Sequence, residues 1–233
     1  MFSYRNDPGA DGVGVAFCDA VGPEGKVLDL GLQDGRRSGD WGLVEAVLGV
    51  EVRCARQVHG VRVLTVGPDT DQRTCGAEAA DALVTTTRGL GVGVRVADCV
   101  PVLFGDAAAG VVAAAHAGRV GLAAGVLQRT MAVMRQLGAT EVTAWIGPHI
   151  CGACYEVGVT MRDEFAARVP GAASTTSWGT ASLDLGAAAA WLLEGLGCRV
   201  LRRDPCTLTS ATLHSYRRDP LTAGRQAGII WLP

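Results

Sequence analysis

Three residues of this chain could do chemistry together. They are His59 in Gln57-Val58-His59-Gly60, Cys99 in Ala97-Asp98-Cys99-Val100-Pro101, and His116 in Ala115-His116-Ala117-Gly118. Each lies where an apolar, strand-like run gives way to turn residues. Imidazole and thiolate are donors that borderline-soft zinc prefers. Three protein ligands with a fourth position open is the catalytic arrangement, whereas structural zinc is usually closed by four. The trio therefore predicts an enzyme whose metal holds a water. Spacing alone does not establish this, because neither interval matches a helical i, i+4 pair or a zinc finger. Position favours it: if strands 91–97 and 111–115 are neighbours, Cys99 and His116 emerge on one rim.

Other residues join the candidate list. Asp98, beside Cys99, suits a second acceptor that orients a ligand, or a general base; a turn-forming Asp is the ordinary alternative. Cys151-Gly152-Ala153-Cys154 is a single CxxC, where two such pairs would be a strong zinc signal. Cys154 is expected to pack, or to stand behind the site, without forming a disulfide. His149 reads as a loop histidine. The Gly118–Gly121 turn precedes an expected helix, and backbone N–H groups at a helix start hold anions. Arg119 adds charge there. Arg217 and Arg218 in Ser215-Tyr216-Arg217-Arg218-Asp219, and Arg225 in Gly224-Arg225-Gln226, carry forks that suit phosphate or carboxylate. Their ordinary alternative is internal pairing with Asp in a solvated loop.

The elements that must position these residues read mostly as strands. Strand-length apolar runs cover 12–17, 50–58, 61–66, 82–86, 91–97, 101–104, 111–115, 142–146, 200–201 and 227–232. Helical spacing covers 41–48 with Asp40 as cap, 122–137 ending at Gly138, 160–169, and 185–196 ending at Gly197. Residues 22–42, rich in Gly and Asp, read as mostly loop. Strands outnumber helices and run consecutively. That predicts an α/β (α+β) fold of mixed β-sheets in a compact sandwich with helices packed outside. A chain of 233 residues with no linker is expected to be one domain, 1–233.

Composition narrows the function. A net charge of -2 offers no basic footprint for nucleic acid. No apolar run reaches the roughly 20 residues that span a bilayer. The N-terminal residues carry no signal-peptide core, so a cytoplasmic location is expected. The eight cysteines are scattered in a chain too large to need staples, which favours reduced thiols.

Taken together, the segments resemble one family, the YfiH-type proteins labelled both polyphenol oxidoreductase ("laccase") and purine nucleoside phosphorylase. Gln57-Val58-His59-Gly60 resembles its QVHG element, and Ala80-Asp81-Ala82-Leu83-Val84-Thr85 its ADALVT strand. Ala97 to Leu103 is similar to ADCxPVL, and Ala115 to Gly118 to AHAG. Gly147 to Val157, Ser215 to Asp219 and Ala227 to Leu232 resemble its remaining signatures. The resemblance implies that His59, Cys99 and His116 are the metal ligands, with zinc as cofactor and copper as the alternative. It implies phosphorolysis of adenosine, inosine and methylthioadenosine, or deamination of adenosine, with a nucleoside and phosphate as small-molecule partners; the modest net charge leaves monomer and homodimer both open. Asp98, Glu156 and Cys154 are the expected catalytic residues; Gln57, Gly118, Arg119 and Arg217 are expected to bind substrate or phosphate. Where the family usually has Gly-Trp-Arg-Gly, this chain has Gly118-Arg119-Val120-Gly121; if the family's Arg holds phosphate, either Arg119 substitutes from one position earlier or phosphorolysis weakens. A copper-dependent phenol oxidase and a metal-binding protein without catalysis are the competing readings.

Overall fold

The structure is a computed structural model describing residues 1–9, 12–33 and 36–233. In chain order its elements are β1 (Phe2–Asn6), β2 (Gly14–Cys18), β3 (Leu32–Gln33), β4 (Arg36–Arg37), α1 (Trp41–Leu48), β5 (Glu51–Arg53), β6 (Val63–Thr65), α2 (Gln72–Ala77), β7 (Ala82–Thr85), β8 (Leu90–Val96), β9 (Val100–Asp106) and β10 (Val111–Ala117). Then follow α3 (Arg119–Ala124), α4 (Val126–Gln136), β11 (Thr143–Ile146), α5 (Val159–Ala166), β12 (Ala173–Thr175), β13 (Ala181–Leu183), α6 (Leu185–Gly195), β14 (Arg199–Arg202) and β15 (Gln226–Trp231). One sheet runs β1-β2-β15-β8-β5 and the other β14-β11-β9-β10-β7-β6. Both mix parallel and antiparallel pairs, as expected.

The two-residue period of the strands makes the layers. In β2, Val15 and Phe17 face the core between the sheets, while Ala16 and Cys18 face the layer under α1. In β10, Val112 and Ala114 enter the inter-sheet core, while Val111, Ala113, Ala115 and Ala117 meet Leu127, Met131 and Leu185 from the helices. Each sheet is thus apolar on both faces and sheathed by helices. Phe17 fills the space beside Gly147, where a Cβ would lie 2.2 Å from its ring. That close approach requires glycine.

Several expectations are corrected. The 122–137 helix is two helices, because Gly125 at φ +94 breaks it, and the first begins at Arg119. The 50–58 strand shortens to β5. Beyond it the Gln72 side chain, not a neighbouring strand, takes the Cys54 N–H (2.9 Å) and donates to the Cys54 carbonyl (3.0 Å). Asp40 does not cap α1; its carboxylate accepts from Lys26 Nζ (2.8 Å) and the Asp29 N–H (2.9 Å). Strand β1 was not expected, since Phe-Ser-Tyr-Arg-Asn carries little apolar signal and forms a sheet edge. Within the expected loop 22–42, the short pair β3–β4 forms, and positions 34 and 35 lie outside the described residues.

Candidate metal centre

His116 is the penultimate residue of β10 and shares the face of Val112 and Ala114. Cys99 closes the turn between β8 and β9, and His59 lies in the loop after β5. Their ligand atoms all lie within 4.8 Å of one another. His59 Nε2 is 3.8 Å from Cys99 Sγ, and the two imidazoles meet edge to face at 4.7 Å. The set grades from buried His116 through half-buried Cys99 to exposed His59, so it opens to solvent on one side.

One buried carboxylate assembles two of the three candidate ligands. Asp81, at 0% exposure, accepts the backbone N–H groups of Val58 (3.1 Å), His59 (2.8 Å) and Gly60 (2.7 Å). It also pairs with His116 Nδ1 at 2.8 Å, leaving Nε2 for a metal. Burial pushes its carboxyl pKa up, but the bonds from His116, Gly60 and Val58 outweigh that and hold it below the usual range. Burial lowers the pKa of His116 against the pull of Asp81, favouring the neutral imidazole a metal needs. Burial, helped by the Asp98 charge, pushes the Cys99 thiol up to about 12. Without a cation beside it, that thiol is a poor nucleophile at neutral pH.

The backbone is strained here. His59 has φ +60 and Asp98 φ +89, conformations that ordinarily fall to glycine. Asp98 is held from two sides: Oδ1 accepts from Thr207 Oγ1 and Oδ2 from the Arg217 N–H, each at 2.6 Å. Its carbonyl accepts the Ile150 N–H at 3.0 Å. Gly118 must lack a side chain, because a Cβ would lie 2.7 Å from His59 Cδ2 and 3.0 Å from Cys99 Sγ. These residues fit a metal: mixed nitrogen and sulfur donors, an oriented imidazole, and a cradle a methyl group would fill.

The trio borders a cavity of about 630 Å³, which Gln57, Arg95, Asp98, Arg119, Tyr155, Tyr216, Arg217 and Arg225 also line. Gln57 clips its loop to β8, donating to the Arg95 carbonyl (2.7 Å) and accepting the Arg95 N–H (2.9 Å). Arg217 stacks over Tyr155 at 5.1 Å and donates to the Glu156 carbonyl at 3.0 Å. Arg119 reaches the cavity, whereas Val120 is 51% exposed.

Two expected catalytic residues are not brought to the trio. The exposed Glu156 carboxylate accepts from Trp178 Nε1 at 2.8 Å and does not line the cavity. Buried Cys154 sits with Cys151 and Cys206. Sequence reasoning gave Asp81 and Arg95 no role. The available signal was a charged residue within an apolar, strand-length run, which must find a partner when buried.

The family model described as multi-copper polyphenol oxidoreductase laccase matches residues 40–233. The chain belongs to this family. Purine nucleoside phosphorylase of Streptomyces coelicolor is 48% identical over 179 residues, 76% of this chain and 73% of the relative. Purine nucleoside phosphorylase YfiH of Escherichia coli is 38% identical over 180 residues, 76% and 72%. Among solved structures, a Neisseria meningitidis protein of family DUF152 superposes with a TM-score of 0.81 at 33% identity, over 98% of this chain and 97% of that one. A hypothetical protein YfiH from Bacillus licheniformis superposes at 0.84 and 26% identity, over 95% and 93%. The similarity to the Neisseria protein therefore extends over the segment before residue 40 that the family model does not match.

Proposed function

We propose that this chain is a zinc-dependent purine nucleoside phosphorylase. Its substrates are adenosine, inosine and methylthioadenosine, and deamination of adenosine is a second activity of the same site. The observation that carries this reading is the convergence of His59, Cys99 and His116 on one side of an arginine-lined cavity. The relatives named as purine nucleoside phosphorylases support it.

His59, Cys99 and His116 would hold the metal, which supplies a Lewis acid for developing negative charge or for activating water. In phosphorolysis a phosphate oxygen attacks the ribose anomeric carbon. The bond to the base breaks, and the purine leaves with its electron pair, to be protonated. Arg119, Arg217 and Arg225, which line the cavity, would bind and orient the phosphate. Arg95 and Arg225 also border a second cavity lined by Arg36, Arg37 and Arg73, which extends the positive potential that draws an anion in. Asp98 is the carboxylate among the cavity's lining residues and the candidate to carry the proton.

Oxidation of phenols at a multicopper centre fits these residues less well. Of the four histidines, His149 bonds the Gly147 carbonyl and His214 the Leu28 carbonyl, leaving two for metal. The eight cysteines carry no disulfide among the described residues, which suits a reducing cytoplasm.

The test is a product assay with adenosine, with and without phosphate. Adenine formed only with phosphate is the expected result. Inosine formed without phosphate marks deamination. Absence of both products from metal-loaded protein would sink the reading.

A further inference from the structure

A second group of metal-type donors lies outside the centre described above. The Sγ atoms of Cys151, Cys154 and Cys206 all lie within 4.8 Å of one another. Cys151 and Cys206 are half-buried and Cys154 is buried, so an ion could reach them. We propose that these three thiols form a second metal site, for a thiophilic d10 cation of the zinc(II) or copper(I) class.

The loops present the sulfurs without rearrangement of the fold. The Cys154 and Tyr155 N–H groups both bond the Cys151 carbonyl, at 3.0 and 2.9 Å, which closes the CxxC turn. Gly152 inside the turn must be glycine, because a Cβ would lie 2.7 Å from Asp184 Cβ. Ser182 Oγ donates to the Gly152 carbonyl at 2.6 Å and pins the turn from the other side. Cys206 comes from a distant segment, joined by a bridge between His149 and Cys206 and by the Thr207 N–H on the His149 carbonyl at 3.0 Å. The Cys151 N–H points at Cys206 Sγ from 3.5 Å, a contact that favours negative charge on that sulfur.

The donor chemistry selects the ion. Three soft ligands with no carboxylate or imidazole among them suit zinc or copper(I) and disfavour magnesium or calcium. No fourth His, Cys, Asp or Glu joins the group among the described residues, so the ion is three-coordinate or takes one ligand from solvent. His149 is not that ligand: its Nδ1 bonds the Gly147 carbonyl and its Nε2 faces Gly186.

A bound ion would also stiffen the cavity. Cys151 adjoins Ile150, whose N–H bonds the Asp98 carbonyl, and Cys206 adjoins Thr207, whose hydroxyl bonds the Asp98 carboxylate. The site thus ties together two of the three segments that hold Asp98, the third being the one that carries Arg217.

The test is zinc stoichiometry on the reduced full chain, titrated with zinc(II) against a chromophoric chelator. Wild type is expected to hold two equivalents, Cys99→Ala one, Cys206→Ser one, and the double variant none. Cys151→Ser must behave as Cys206→Ser does, which guards against misfolding of either variant. Cobalt(II) gives an independent readout: sulfur-to-metal charge transfer must persist in Cys99→Ala and vanish on adding Cys206→Ser. Copper(I) binding by Cys99→Ala that zinc does not match assigns the ion as copper and upholds the site. A single zinc and copper equivalent in wild type, unchanged in Cys206→Ser and lost in Cys99→Ala, overturns the proposal while leaving the His-Cys-His centre intact.

Discussion

The two ends of the β9–β10 pair solve the same folding problem with different residues. At the far end, Asp106 is 1% exposed and accepts the N–H groups of Ala109 (2.9 Å), Thr140 (2.7 Å) and Glu141 (2.8 Å). At the near end, buried Asp81 likewise takes three backbone N–H groups, and in addition His116. The far turn puts its positive φ on a glycine, Gly110 at +64. The near end puts it on His59 and Asp98. Strained non-glycine backbone of about 1–3 kcal/mol per residue persists only where the surroundings hold it. One end is a structural turn; at the other, the same device brings His59 and His116 together beside Cys99.

The largest expected effect separates the two ends outright. Cys99→Ala removes a donor at the near end, and a lost Lewis acid is worth several kcal/mol, so turnover should fall at least about 10³-fold. Stability should change little, and retained turnover would break the comparison.

Asp81→Asn should weaken metal binding about 10–100-fold, as loss of an orienting partner does, and cost about 3 kcal/mol because buried donors lose their anion. Asp106→Asn should cost about 1–3 kcal/mol of stability and leave metal affinity unchanged. Equilibrium unfolding and metal titration of both variants read this contrast; equal losses of metal affinity would erase it.

Asp106 adds a pH signature. Burial raises its pKa, but the N–H bonds of Ala109, Thr140 and Glu141 outweigh that and hold it below the ordinary carboxylate value. A depressed folded pKa contributes stability above the unfolded value, and that contribution is lost as pH falls through the folded one. Asp106→Asn should therefore flatten the decline in unfolding free energy below about pH 4.

Smaller effects sharpen the geometry. Gly118→Ala pushes a methyl into His59 and Cys99 and should weaken metal binding about tenfold, at the low end of what a displaced ligand costs. Gly110→Ala meets no atom within 4 Å, so only its φ is penalised; about 1 kcal/mol of stability should go and metal affinity should stay.

The trio could be picked out in the sequence because each member follows an apolar run that gives way to turn residues; the structure keeps that for Cys99 and His116 at the β8–β9 turn and the end of β10, whereas His59 comes from the loop well beyond β5. The layered fold was legible because strand-length apolar runs outnumber the helical ones and follow one another; which side chains enter which layer was not, since β2 and β10 are apolar at nearly every position. Asp81 was visible only as a letter in a motif, since its four partners come from segments far apart in the chain. Glu156 and Cys154 lie away from the trio for the converse reason. They adjoin cavity-lining Tyr155 in sequence, yet Glu156 turns to Trp178 and Cys154 to Cys151 and Cys206. The break at Gly125 was hidden because apolar spacing continues across it, and one left-handed glycine suffices to end a helix.

The measurement that tests the central claim most directly compares wild type and Cys99→Ala on inosine and phosphate, with bound zinc quantified in each. Hypoxanthine release that tracks zinc occupancy at the trio, and falls to background in Cys99→Ala, is the predicted result. Undiminished release by the variant would place the chemistry elsewhere and contradict the account.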